Sequence, residues 1–132
     1  MNDAAAGVFR DMPDATTPIA DLKAQVRRFG DDRLWQPFHT PKNLAMGLAV
    51  ETAELMEHFQ WIDIAESRAI AGNTEKLAEV RDEIADVLCY LIALANELDV
   101  DLALAMADKM IKNAAKYPAE KTRGHFAPPP PE

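Results

Sequence analysis

Four carboxylates stand at matched spacing in two stretches of this chain. In "NLAMGLAVETAELMEHFQW", residues 43–61, Glu51 and Glu54 are three apart; in "EVRDEIADVLCY", residues 79–90, Glu83 and Asp86 repeat the step. On a helix, residues three apart share a side, about one turn from each other. Leu44, Leu48, Leu55 and Phe59 mark the apolar face of the first stretch, and Glu51 falls inside that face while Glu54 lies along its edge. Two such pairs facing each other bring four like charges together, which cannot all stay ionised without a compensating cation. Oxygen donors with no cysteine or paired histidine suit Mg²⁺, or Mn²⁺, better than zinc. The same spacing also describes a solvated acidic surface; the place of Glu51 in an apolar face favours the metal. Glu57, Glu79 and Asp82 point elsewhere by helical count and read as solvated. A di-iron site would want Glu-x-x-His on two helices; His58 follows Glu57 directly and stands four places after Glu54, so that motif is absent.

The elements that must position these groups are four helical patterns, with no convincing strand, giving an all-α, four-helix-bundle expectation. Residues 1–16 are small and polar and read as a flexible arm, residues 17–118 as the folded domain, and residues 119–132, ending "GHFAPPPPE", as a flexible Pro-rich tail. The first helix is expected from Thr17 as cap and Pro18 as first residue to a stop at Gly30, with Ile19, Leu22, Val26 and Phe29 as its buried stripe. The second opens with Thr40 as cap and Pro41 at the first position and runs to about Trp61. A looser stretch with some helix of its own reaches Gly72. The third runs from near Thr74 to about Leu98, and the fourth from near Asp101 to Tyr117, where Pro118 breaks it. Within the third, "VLCYLIALAN" carries no charge on any side. A helix apolar all round is buried all round, more than one small chain can cover, so self-association through this helix is expected.

Composition narrows the classes. Fourteen Lys and Arg against 22 Asp and Glu leave a net charge of −8 over 132 residues, which lacks the basic footprint of a nucleic-acid or anionic-membrane binder. Bound cations can still reverse the sign locally for a phosphate ligand. One cysteine, Cys89, excludes an intrachain disulfide and reads as core filler in a reducing compartment. The first residues show no basic end followed by an apolar block, and no stretch approaches the ~20 apolar residues of a membrane span. A cytoplasmic protein is the expectation.

Three ordered segments carry a resemblance. "WQPFHTPKNLAMGLAVETAELMEHFQW", "AEVRDEIADVLCYLIALA" and "KMIKNAAKYP" are similar to the signatures of the MazG-like all-α nucleotide pyrophosphohydrolases, nearest their dCTP pyrophosphatase branch. The resemblance spans roughly residues 18–118. It implies Mg²⁺-dependent hydrolysis of a nucleoside triphosphate to the monophosphate and pyrophosphate, by a homo-oligomer, commonly a tetramer, in nucleotide-pool sanitation. It further implies that Glu51, Glu54, Glu83 and Asp86 hold the metal, and that Trp35, Gln36, Pro37, Phe38 and His39 line the nucleoside end. Trp61 and Tyr90 match positions that contact the nucleotide, and Lys109, Asn113, Lys116 and Tyr117 match positions that reach the phosphates.

The residues agree with this in several places. Lys109, Asn113 and Lys116 recur at four and three residues and form a polar, cationic helix face, suited to a triphosphate or simply to water. Tyr90 lies one turn beyond Asp86 on the same side. Trp35 and Trp61 are the only tryptophans, although large aromatics serve cores as readily as ligand stacks. One departure stands out: where dCTP-specific relatives carry a histidine on the first helix, this chain has Val26. Losing a polar contact to a pyrimidine edge weakens discrimination, which leaves a dUTP- or purine-preferring enzyme as an alternative. A non-catalytic helical module whose acidic faces bind a basic partner is the rival from another class.

Overall fold

The computed structural model describes Phe9 and residues 12–125. Most of the arm and the proline run of the tail lie outside these residues. The described residues form helices and turns with no strand: α1 (Ile19–Asp31), α2 (Pro41–Glu57), α3 (Ile64–Ala69), a 3-10 turn (Ile70–Gly72), α4 (Thr74–Glu97), α5 (Leu102–Lys116) and α6 (Ala119–Thr122). None is long and apolar enough to cross a membrane. The chain divides into two compact units, Met1–Asp99 and Val100–Glu132.

In the first unit α2 packs along α4, and α1 and the 3-10 turn also rest on α4. The start of α2 is set as its sequence dictates: the Thr40 side chain accepts from the Asn43 N–H, and Pro41 occupies the first turn, where its missing N–H is no loss. α3 carries a complete capping box between Asp63 and Glu66, and α4 is capped by Asn73 accepting from the Lys76 N–H. Reciprocal caps satisfy N–H groups that no helical carbonyl can reach.

α1 departs from expectation at both ends. Pro18 stands before the helix as its cap residue and makes no side-chain capping bond; Thr17 turns back to donate to the Pro13 carbonyl. Gly30 does not end the helix. It is buried in the last turn beside the His39 ring, and its carbonyl accepts from Arg33 and Trp35. The chain reverses instead at Leu34, whose φ is +54°. The stripe expected on α1 is only partly covered: Leu22 and Val26 are half-buried, Ile19 and Phe29 exposed.

The core is thin. Leu44, Ile70, Val80, Ile92, Ala93 and Ala95 are its buried apolar residues, Leu44 being 1% exposed; burying a leucine contributes roughly 1.5–3 kcal/mol. Asn96 ties α4 to α1 by donating to the Lys23 carbonyl at 3.0 Å. Within the single chain, the chargeless run on α4 is only partly covered: Leu88 and Leu91 are exposed, in line with Ile84 and Leu98. Cys89 is likewise not core filler: it is only partly covered.

In the second unit, Asp101 caps α5 by accepting from the Leu104 N–H, and Pro118 ends it after Tyr117. The short α6 then forms inside the stretch expected to be a flexible tail. Pro118 makes this possible, since its carbonyl accepts from Lys121 and Thr122 and so starts a new turn.

Candidate metal and nucleotide site

α2 and α4 bring Glu51, Glu83 and Asp86 to one point: each offers a carboxylate oxygen within 4.8 Å of the others. Glu54, one turn further along α2, lies outside this group of three but close enough for its charge to act on the Glu51 carboxyl. Partial burial raises the Glu51 pKa above the usual carboxylate value, as do the charges of Glu54, Asp86 and Glu83. Three carboxylate oxygens this close, with a fourth acid one turn away, repel one another unless a cation sits between them.

Glu83 adds an independent sign. Its Oε2 is buried with no hydrogen-bond partner, an arrangement that costs free energy unless something binds there. A hard donor set, an orphaned oxygen and mutual repulsion fit a divalent cation such as Mg²⁺ or Mn²⁺.

One stability prediction follows. The folded state holds the Glu51 proton more tightly than the unfolded chain, where the ordinary value of 4.5 applies. Stabilisation from that proton is therefore complete below the ordinary value and is lost as pH rises through the folded-state pKa. In chelator, the Tm difference between the parent and Glu51→Gln should widen in favour of the variant as pH rises above 4.5, and saturating Mg²⁺ should close it. A pH-independent difference would contradict the charge crowding.

Beside the carboxylates opens a cavity of about 500 Å³. Glu51 and Asp86 stand on its wall, so the acidic centre and the cavity are continuous. Trp35, Phe29 and Tyr90 supply aromatic surface, and Val26, Leu44 and Ala93 apolar surface. The edge of Trp35 meets Phe29 and His39, with ring centroids 5.7 and 5.5 Å apart, and the Arg33 guanidinium lies 3.5 Å from the Phe29 centroid. Polar groups are few, chiefly Gln25 and His39. A mostly apolar, partly aromatic hollow with a few polar groups suits a planar ligand.

The α1–α2 loop holds this wall. Trp35 donates its N–H to the Gly30 carbonyl, His39 donates to the Trp35 carbonyl, and the Asn43 side chain donates to the Phe38 carbonyl at 3.0 Å. Tyr90 lies directly against Gly47, where a Cβ would fall 2.8 Å from Cδ1, 3.0 Å from Cζ and closer still to Cε1.

A family model described as "MazG-like family" matches residues 47–125. A rat protein named dCTP pyrophosphatase 1 is 39% identical over 123 residues, 93% of this chain and 71% of its own. This chain belongs to the MazG-like family. The human protein of the same name is 38% identical over 120 residues, 91% of this chain and 69% of its own. A pyrophosphatase from Archaeoglobus fulgidus, solved crystallographically, superposes with a TM-score of 0.70 at 40% identity, over 76% of this chain and 92% of that one.

The MazG-like signatures separate by where their residues fall. Trp35, His39 and Tyr90 line the cavity. Gln36 is not among its lining residues and donates to Asp31 at 2.6 Å. Pro37 is exposed, and Phe38 (67% exposed) and Trp61 (87% exposed) are not among the cavity's lining residues. Lys109, Asn113, Lys116 and Tyr117 belong to the second unit. Sequence reading missed Gln25 and Cys89, which line the cavity, and Phe9, which does so from the stretch read as a loose arm. It also missed Gly47, for which a glycine one turn before Glu51 was the available signal, and His58, discussed below.

Proposed function

We propose that this chain is a divalent-metal-dependent pyrophosphohydrolase that converts dCTP, or a modified pyrimidine deoxynucleotide, to the monophosphate and pyrophosphate. The observation that carries this is the continuity of the acidic centre with the aromatic cavity through Glu51 and Asp86. That junction suits a ligand with a planar base at one end and chelated phosphates at the other. Family membership supports the reaction, and the name of the rat and human relatives supports the base.

In this reading Glu51, Glu54, Glu83 and Asp86 hold Mg²⁺ (or Mn²⁺), which when bound neutralises phosphate charge and lowers the pKa of a water. Trp35 and Tyr90 flank the base, with His39 beside them, and exclude water from the nucleoside end. Gln36, Pro37, Phe38 and Trp61 are assigned to the same end on the resemblance alone. Water attacks the α-phosphorus, the bond to the bridging oxygen of the pyrophosphate breaks, and a carboxylate of the set accepts the water's proton. Lys109, Asn113, Lys116 and Tyr117 are assigned to the phosphates on the resemblance alone, as cationic and amide groups of the kind that stabilise charge on a leaving pyrophosphate.

The same proposal includes a four-helix subunit in a homotetramer, acting in the cytoplasm to clear surplus or modified deoxynucleotides. The open apolar line of Ile84, Leu88, Leu91 and Leu98 supports the assembly.

The test is a panel of deoxynucleoside triphosphates assayed for pyrophosphate release with Mg²⁺. A dCTP preference supports the proposal. Faster turnover of dUTP or a purine triphosphate would retain the reaction and replace the base, in keeping with Val26 as an apolar wall. No pyrophosphate from any triphosphate would leave the acidic-interaction module.

A further inference from the structure

We propose that His58 is the positioning residue for Glu83, part of a braced line of side chains that holds one metal-binding carboxylate in place. The inference rests on the metal reading above. His58 caps the C-terminal end of α2, its backbone N–H bonded to the Leu55 carbonyl, and its side chain is only 17% exposed. Its Nε2 faces Glu83 Oε1 at 3.8 Å, and its Nδ1 faces Glu79 Oε2 at the same distance. Glu79 is itself fixed by Lys76, whose Nζ donates to it at 2.9 Å.

Lys76, Glu79 and Glu83 lie along one side of α4, at steps of three and four residues. The imidazole therefore bridges the end of α2 to two successive turns of α4. It approaches one oxygen of Glu83 to 3.8 Å and leaves the other, the buried Oε2 without a hydrogen-bond partner, for the cation. A glutamate side chain without such a brace can rotate and present either oxygen or neither. A ring nitrogen 3.8 Å from one carboxylate oxygen, at ion-pair rather than hydrogen-bond distance and with a second carboxylate behind it, narrows that freedom, as partners behind metal ligands generally do. The sequence offered the histidine only as the missing half of a di-iron motif; its use here depends on Glu79, which spacing had assigned to solvent.

The test is Mn²⁺ binding to the full-length protein without nucleotide, read from loss of the free-ion EPR signal, with helix content followed by circular dichroism. His58→Ala should weaken Mn²⁺ binding by about 10- to 100-fold, and His58→Gln, which retains a donor, should stay within about threefold of wild type. Glu79→Gln should weaken binding by about threefold in the wild-type background and have less effect when His58 is already alanine, because the two act in series. Glu79 is exposed, so its variant tests the brace even if His58→Ala loses helix. Unchanged binding in Glu79→Gln, or in a folded His58→Ala, overturns the inference while leaving the metal reading intact. A folded His58→Gln as weak as His58→Ala overturns it too, since packing would then explain the loss. Wild-type protein that takes up no Mn²⁺ overturns the metal reading, and this inference with it.

Discussion

Glu51→Gln should lower kcat/KM by on the order of 10³-fold while leaving the chelated protein at least as stable as its parent. The two halves of this result have one cause. Glu51 belongs to the three-oxygen group, lines the cavity and carries a pKa raised by burial and by three neighbouring acids. The amide keeps the size of the carboxylate, so packing survives. What disappears is a charge that repels its neighbours when no cation is present and holds the cation when one is. Pyrophosphate release under Mg²⁺ and Tm in chelator measure the two halves separately. Retained activity would remove Glu51 from the metal set, and a large fall in Tm would show that it is a structural acid instead.

Gly47→Val should raise KM by about tenfold or more, with a smaller change in kcat and in overall stability. The Tyr90 ring occupies the space where a Cβ would stand, and the branched side chain of valine extends further into it. The ring must swing out, carrying aromatic surface away from the cavity wall. Helix preference alone changes little, because glycine is about 0.8–1.0 kcal/mol worse than alanine and valine lies between them. Steady-state kinetics of the variant, with Tyr90→Ala alongside, provides the check. If Tyr90 is the agent, both should shift KM in the same direction; an unchanged KM for Gly47→Val would mean that the ring contributes nothing to nucleotide binding.

Most of the helices were legible in the sequence because their signals are local. Thr40-Pro41, Asp101 and Pro118 act within one turn of themselves, so their chemistry fixes helix ends in almost any context. The pairing of Glu51 with Glu54 and of Glu83 with Asp86 is local in the same sense, since three residues of helix fix their relation. Gly30 misled because the helix runs through it to Asp31 and the chain turns at Leu34 instead. Cys89 misled as well. An apolar neighbourhood along the chain does not reveal that the thiol side of α4 faces a cavity, where partial burial and then the Asp86 charge raise its pKa.

By itself, then, the sequence determined a helical chain with two acidic pairs, each confined to one helix side, and a set of signatures belonging to a known family. Only the tertiary structure decided which oxygens meet. Packing α2 along α4 brings Glu51 to Glu83 and Asp86 and leaves Glu54 at their edge, a matter of helix rotation that spacing within either helix cannot fix. It also decided that Trp35 lines a cavity while Trp61 stands in solvent, and that His58 reaches across to α4. These relations join residues far apart in the chain, and they exist only once α2 and α4 have packed in one particular register.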